Sequence, residues 1–140
     1  MKKILIVDDD KKITTALEVR LKAAGYEVFT ALDGLEGLKL ATRTRPDLIV
    51  MDVWMPGGVG FLIAQRLKHV GLAHVPVIFL TAGKKQHFWE IAEDVDAAGF
   101  FEKPYDSKQL LKSIALVLAR ACSPPLQVHS PRQLSETKQP

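Results

Sequence analysis

Apolar residues fall along the chain in short continuous runs, at Ile4 to Val7, Leu48 to Val53 and Val75 to Leu80, with a shorter one at Gly99 to Phe101. Runs of this length without alternation predict the strands of a parallel sheet covered on both faces. "YEVFTA", from Tyr26, alternates instead, as a half-buried edge strand does. Between the strands the period becomes helical. Ile13, Ala16, Leu17, Leu21 and Ala24 form one stripe, with Gly25 following where a C-cap is expected. Asp33 with Glu36, and Asp106 with Gln109, each place a side-chain acceptor three residues ahead of a Glu or Gln, the pattern of a capping box. The second pair opens an apolar helix through Leu110, Leu111, Ile114, Leu118 and Ala121. A further helix begins at "KKQHFWE", where Phe88, Ile91, Ala92 and Val95 share a stripe and Trp89 stands off it, beside Lys85 and Glu93. Strands alternating with helices five times over predict an α/β three-layer domain: a doubly wound, five-stranded parallel sheet with right-handed crossovers.

Composition narrows the class. A chain of 140 residues, 47% of them hydrophobic, has the size of one domain with a core large enough to need no staples. The periodic part ends at residue 121. "SPPLQVHSPRQLSETKQP" carries four of the eight prolines and no apolar period, so residues 122–140 read as a disordered tail or the start of a linker. One cysteine, Cys122, leaves no partner for an internal disulfide and suits a reducing compartment; the expected location is the cytoplasm. Lys2 and Lys3 before Ile4 imitate an export signal, but the apolar run that follows is too short for one. No apolar run approaches the roughly 18 residues of a membrane span. The net charge of +3 is modest and scattered, so direct nucleic-acid binding is not expected.

The candidate chemistry lies where the strands end. Ligands of open α/β sheets bind beyond the carboxyl ends of the strands, at the point where chain order reverses. The polar residues there are Asp8 and Asp9 after the first strand, Asp52 late in the third run, Thr81 after the fourth and Lys103 after the fifth. Each has a plain structural reading. "DDD" suits a helix N-terminus, where acids favour the macrodipole, Asp52 suits a turn, and Thr81 and Lys103 suit a strand end and a solvated surface. Their convergence on one end of one sheet points instead to a shared crevice. His69, His74, His87 and His129 have no common spacing and read as surface or loop residues.

"IVDDD", "PDLIVMDVWMP", "VPVIFLTA" and "GFFEKP" occur in that order, with 43, 29 and 22 residues separating Asp9, Asp52, Thr81 and Lys103. Over residues 1–121 the chain thereby resembles the receiver domains of bacterial response regulators, the chemotaxis single-domain type included. The switch-point rule already covers that flavodoxin-like fold, with strand order 2-1-3-4-5. The resemblance implies that Asp52 accepts a phosphoryl group from a sensor histidine kinase, a phosphotransfer protein or a small acyl phosphate. It implies Mg²⁺, with Mn²⁺ as a substitute, bound by Asp9 and Asp52 directly, by the backbone carbonyl of Trp54, and by Asp8 through water. Thr81 and Lys103 would each hold a phosphoryl oxygen. Mg²⁺ is a hard ion that takes one or two carboxylates plus waters and phosphate, which is why neighbouring acids suit the role. Asp10 is left to cap the first helix.

The resemblance further implies a switch in which Thr81 moves inward and the aromatic three residues before the lysine, Phe100, fills the space. Tyrosine is commoner there, and Phe100 has no hydroxyl to bond in either position. Trp54 and Gly83, two past the Asp and two past the Thr, would line the pocket rim and tune phosphoryl lifetime. Lys103-Pro104 is the expected cis peptide. Val59 replaces an acid common in that loop, and Asp96 a common helix-ending glycine. Trp89 and Lys85 are candidate partner contacts, and a homodimer would use the face of helix 4, strand 5 and helix 5. "DSKQLLKSIALVLARAC" lacks the acidic and Arg-rich pattern of receivers joined to winged-helix DNA binders, so a stand-alone regulator is expected ahead of the N-terminal receiver of a longer one.

Two rivals share parts of this chemistry. Phosphoaspartate phosphatases of the haloacid-dehalogenase type resemble D-x-D-x-T after the first strand; Asp8 and Asp10 have that spacing, but Lys12 stands at the Thr position and a cap domain has no room. A flavodoxin-like FMN binder needs a hydroxyl- and glycine-rich first loop, and three carboxylates would repel the phosphate unless a metal were present.

Overall fold

The computed structural model describes residues 1–54, 60–82 and 97–121. Its strands are β1 (Lys3–Val7), β2 (Glu27–Ala31), β3 (Leu48–Asp52), β4 (Val77–Thr81) and β5 (Gly99–Glu102), and its helices are α1 (Lys11–Ala23), α2 (Gly34–Thr44), α3 (Gly60–His69) and α4 (Ser107–Ala121). The helix expected from "KKQHFWE", with Lys85 and Trp89, lies outside the described residues, as do Val59, Gly83, Asp96 and the segment beyond residue 121. The sheet has the order β2-β1-β3-β4-β5, parallel at every pairing. It is the doubly wound arrangement expected from the alternation of patterns, in the flavodoxin-like order that the resemblance implies.

Period-two alternation divides the sheet between two apolar layers. Leu5, Val7, Ile49, Met51 and Phe79 pack with Ala41 of α2 and with Phe61, Ile63 and Leu67 of α3. Ile4, Ile6, Leu48, Val50, Ile78 and Leu80 pack with Leu17 and Leu21 of α1 and with Leu110, Ile114 and Leu118 of α4. The central strands are therefore sandwiched, which is why they read as continuous apolar runs. β2, at the edge, keeps only Val28 and Ala31 buried.

Helix ends follow the sequence closely. Asp10 caps α1, its carboxylate accepting from the Lys12 amide at 3.0 Å. Gly25, at φ +97°, ends that helix: its amide donates to Lys22 O and that of Tyr26 to Leu21 O, the paired bonds of a Schellman motif. Asp33 accepts from Glu36 N at 2.8 Å, and Glu36 reaches back to the amide of Leu32, one residue beyond the usual box partner. Asp106 accepts from Lys108 N and Gln109 N. The Lys103-Pro104 peptide is cis.

Three expectations shift. The buried line of α1 is Thr14, Leu17 and Leu21, with Ala16 and Ala24 exposed. A hydroxyl enters this core because Thr14 donates to Lys11 O at 3.0 Å, so burial leaves no unmet donor. In α4, Val117 is buried in place of Ala121. β4 begins at Val77 rather than Val75, because Pro76 has no N–H to pair and contributes only its carbonyl, to Ile49 N.

Arg45, the C-cap of α2, holds a left-handed conformation at φ 50° and ψ 68°, and its guanidinium reaches Gly71 O at 3.4 Å. The left-handed region costs a non-glycine residue roughly 1 kcal/mol, and the long exposed hydrogen bond returns less. Arg45→Gly is expected to raise the melting temperature by roughly 2–4 °C, about 0.5–1 kcal/mol. A lower melting temperature in a thermal scan would show that the contact with Gly71 outweighs the strain.

Candidate functional site

Strand register assembles the site. Val7 pairs Met51 across β1 and β3, so Asp8 and Asp52, each one residue on, stand side by side where the two strands end. Asp52 pairs Leu80, and Thr81 pairs Glu102, which brings Thr81 and Lys103 to the same end of β4 and β5. Asp8, Asp52 and Thr81 are buried, at 0%, 5% and 0% exposure, whereas Asp9 is exposed. One oxygen from each of Asp8, Asp9 and Asp52 lies within 4.8 Å of the others.

Lys103 reaches into this cluster from β5. Its Nζ lies 2.9 Å from Asp8 Oδ2 and 3.5 Å from Asp52 Oδ2. Alternation along the strands places Asp8, Asp52 and Lys103 on the α1 and α4 side of the sheet. Thr81 follows Leu80 and so falls on the other side, with Phe100, which packs against Phe79 at a ring separation of 6.3 Å. Trp54, two residues past Asp52, is 55% exposed.

The electrostatics are unbalanced. Among the described residues, three carboxylates face one ammonium, a formal surplus of two negative charges. Burial pushes the Asp52 carboxyl up from 3.8 to about 6; the Asp8 charge adds to this, and Lys103 and the Trp54 amide, which donates to the carboxylate, oppose it. Burial alone would lower the Lys103 pKa, but hydrogen bonding and charge from Asp8, then Asp52, outweigh it and the ammonium is held above its ordinary range. Asp8 Oδ1 accepts from Asp10 N at 2.9 Å. Asp8 Oδ2 is buried and, among the described residues, meets nothing but the ion pair with Lys103. A buried carboxylate oxygen with one ammonium for a polar partner, in a cluster that is two charges short of balance among the described residues, fits a divalent oxygen-seeking cation.

A pH dependence follows. Because the folded-state pKa of Asp52 lies above the unfolded value, its contribution to metal-free stability is full below 3.8 and is lost as pH rises through about 6. A divalent cation needs the ionised form, so its apparent affinity is expected to fall as pH drops below about 6, approaching tenfold per pH unit. Calorimetric titration with Mg²⁺ at several pH values checks this, and a flat profile between about pH 5 and 7 contradicts it.

Comparison with known proteins agrees with this arrangement. The sequence profile of the response regulator receiver domain matches residues 4–115. The chain belongs to the receiver domain family of two-component response regulators. It is 37% identical over 126 residues to the DNA-binding dual master transcriptional regulator RpaA of Synechocystis, covering 86% of this chain and 50% of that protein. It is 35% identical over 120 residues to the alkaline phosphatase synthesis transcriptional regulatory protein PhoP of Bacillus subtilis, with the same coverage of 86% and 50%. This receiver thus spans about half the length of the curated relatives it matches. The chemotaxis protein CheY4 of Vibrio cholerae superposes with a TM-score of 0.78 at 35% identity, over 84% of this chain and 98% of that one. A response regulator from Chloroflexus aurantiacus gives 0.79 at 31%, over 85% and 98%. The phosphatase and FMN readings are not favoured.

Sequence reasoning missed two features of the receiver's site. It gave Lys103 only a phosphoryl oxygen to hold, whereas the shorter contact is to Asp8. It also passed over Gly60, which abuts the backbone of Asp52. A glycine after "MPGGV" carries no signal of such crowding, since loop glycines are common.

Proposed function

We propose that Asp52 is the phosphoacceptor of this receiver and that Mg²⁺, or Mn²⁺ in its place, is the cation its acids hold. Asp9 and Asp52 would bind the ion directly, with the carbonyl of Trp54 as a third ligand and Asp8 acting through a water. The observation that carries this reading is the half-satisfied Asp8 oxygen beside Asp52 in a cluster two charges short of balance. When bound, the cation lets an anionic carboxylate meet an anionic phosphoryl group.

This chain's own residues do the rest. An Asp52 oxygen forms the new bond to phosphorus as the bond to the donor's histidine nitrogen or acyl oxygen breaks, and the leaving group retains the electron pair. Lys103, already between Asp8 and Asp52, would turn its ammonium to a phosphoryl oxygen, and the Thr81 hydroxyl would take another. Movement of Thr81 would then be felt by Phe100 through the layer both face, and partners would read that change.

The expected donor is a sensor histidine kinase or phosphotransfer protein in the cytoplasm. Ala16 and Val19 are exposed on α1, framed by Lys11, Lys12 and Arg20, next to the acids, an apolar strip with a basic border that suits a helical partner. Self-association through the helix expected from "KKQHFWE", β5 and α4, the fifth helix in the sequence pattern, would use Leu116, exposed on α4. RpaA is named as DNA-binding, so an output on DNA is proposed only for a longer protein that includes this receiver. Among the described residues no helix is long and apolar enough to cross a membrane.

Phosphoramidate with Mg²⁺ is expected to change the intrinsic tryptophan fluorescence, with p-nitrophenyl phosphate left unhydrolysed. Multiple turnover of the ester would favour the phosphatase reading instead.

A further inference from the structure

Gly60 opens α3 and is buried. Its amide donates to Val53 O at 2.8 Å, tying the first turn of the helix to the end of β3. A Cβ built at this position would lie 2.5 Å from Asp52 O, 3.2 Å from Val53 Cα and 3.3 Å from Asp52 C. All three are backbone atoms, so no flexible side chain is there to give way.

Neither partner in this contact can easily retreat. Phe61, the next residue, stacks edge-on against Phe79 of β4 with ring centroids 4.9 Å apart, which pins the first turn of α3 to the sheet. On the other side Val53 is fully buried and its amide donates to Leu80 O at 2.9 Å, so the chain past Asp52 remains tied to β4. A methyl group at 60 would therefore displace the Asp52–Val53 peptide itself. That peptide leads into Trp54, whose amide bonds the Asp52 carboxylate.

We propose that Gly60 is a positioning residue: by having no side chain it lets α3 press on the backbone of Asp52 and so sets where that carboxylate stands relative to Asp8, Asp9 and Lys103. The inference rests on the reading of these acids as a divalent-cation site, and it concerns geometry that stability alone would not report.

Isothermal titration of Mg²⁺ into wild type, Gly60→Ala and Leu118→Ala separates the possibilities. Leu118 lies three turns into α4, in the apolar layer that α3 does not line, so its truncation lowers stability while leaving the contact of α3 with Asp52 intact. Gly60→Ala is expected to fold by circular dichroism, yet bind Mg²⁺ at least tenfold more weakly, while Leu118→Ala stays within about twofold of wild type despite a lower melting temperature. Gly60→Ala/Phe61→Leu loosens the anchor and should recover part of the lost affinity, because α3 can then back away. It also takes the place of the single variant should that fail to fold, with affinity still expected below that of Phe61→Leu alone. Gly60→Ala binding within twofold of wild type, or the double variant binding as Phe61→Leu does, would overturn the proposal. No Mg²⁺ binding by the wild type would instead reject the cation site, an outcome separate from either.

Discussion

Asp52→Asn is expected to melt above the wild type at about pH 8 in the absence of metal, by roughly 5 °C, on the order of 1–2 kcal/mol. The cause is the charge that folding buries. Asp52 is 5% exposed beside Asp8, and Lys103 stands 3.5 Å from it against 2.9 Å from Asp8, so the ammonium is committed mainly to the other carboxylate. Two like charges about 4 Å apart near a surface repel by something like 4 kcal/mol before relaxation and screening. Asparagine keeps the shape and removes the charge. The sign fixes the pH window: the wild-type penalty is full above about 6 and vanishes below 3.8, so the gap between the proteins should close as pH falls across that range. Adding Mg²⁺ should reverse the order, since a ligand at a hundredfold excess over its Kd stabilises the wild type by about 2.7 kcal/mol and the variant hardly at all. A variant that melts at or below wild type at both ends of the window would mean that Asp52 is well compensated as it stands.

Trp54→Asn is expected to shorten the lifetime of the phosphorylated protein several-fold while little slowing phosphorylation by a small donor. The indole is large, 55% exposed and two residues past Asp52, where the resemblance implies the rim of the phosphorylation pocket. An apolar ring there is expected to exclude water, whereas Gly83, the other rim position that the family resemblance implies, has no side chain to do so. Because the Trp54 amide bonds the Asp52 carboxylate, Mg²⁺ should also quench the wild-type fluorescence, and the variant, left with Trp89, should lose most of that response. Loss of labelled phosphate followed in time gives the lifetime. Equal lifetimes would leave Trp54 as a packing residue at the edge of the site.

Much of this was legible in the sequence because each strand and cap depends on few neighbours. A sandwiched strand must be apolar on both faces, so Ile4 to Val7 and Leu48 to Val53 announced themselves, and the acids ending them were placed by parallel register alone. Asp10, Asp33 and Asp106 cap their helices through contacts within three residues. What escaped depends on contacts distant in sequence. Thr14 is buried because a backbone carbonyl one turn away accepts a hydrogen bond from its hydroxyl, so polarity misled the reading of α1. The preference of Lys103 for Asp8 over Asp52 is a matter of where β5 lies relative to β1, which no spacing reports. The crowding at Gly60 arises only once α3 meets the end of β3.

The phosphoacceptor assignment is tested most directly by intact mass, with wild type and Asp52→Asn incubated side by side in acetyl phosphate with Mg²⁺ or with EDTA. A single adduct of about 80 Da, one phosphoryl group, is predicted on the wild type with Mg²⁺ and in no other sample. The same adduct on Asp52→Asn, or on the wild type in EDTA, would contradict the assignment.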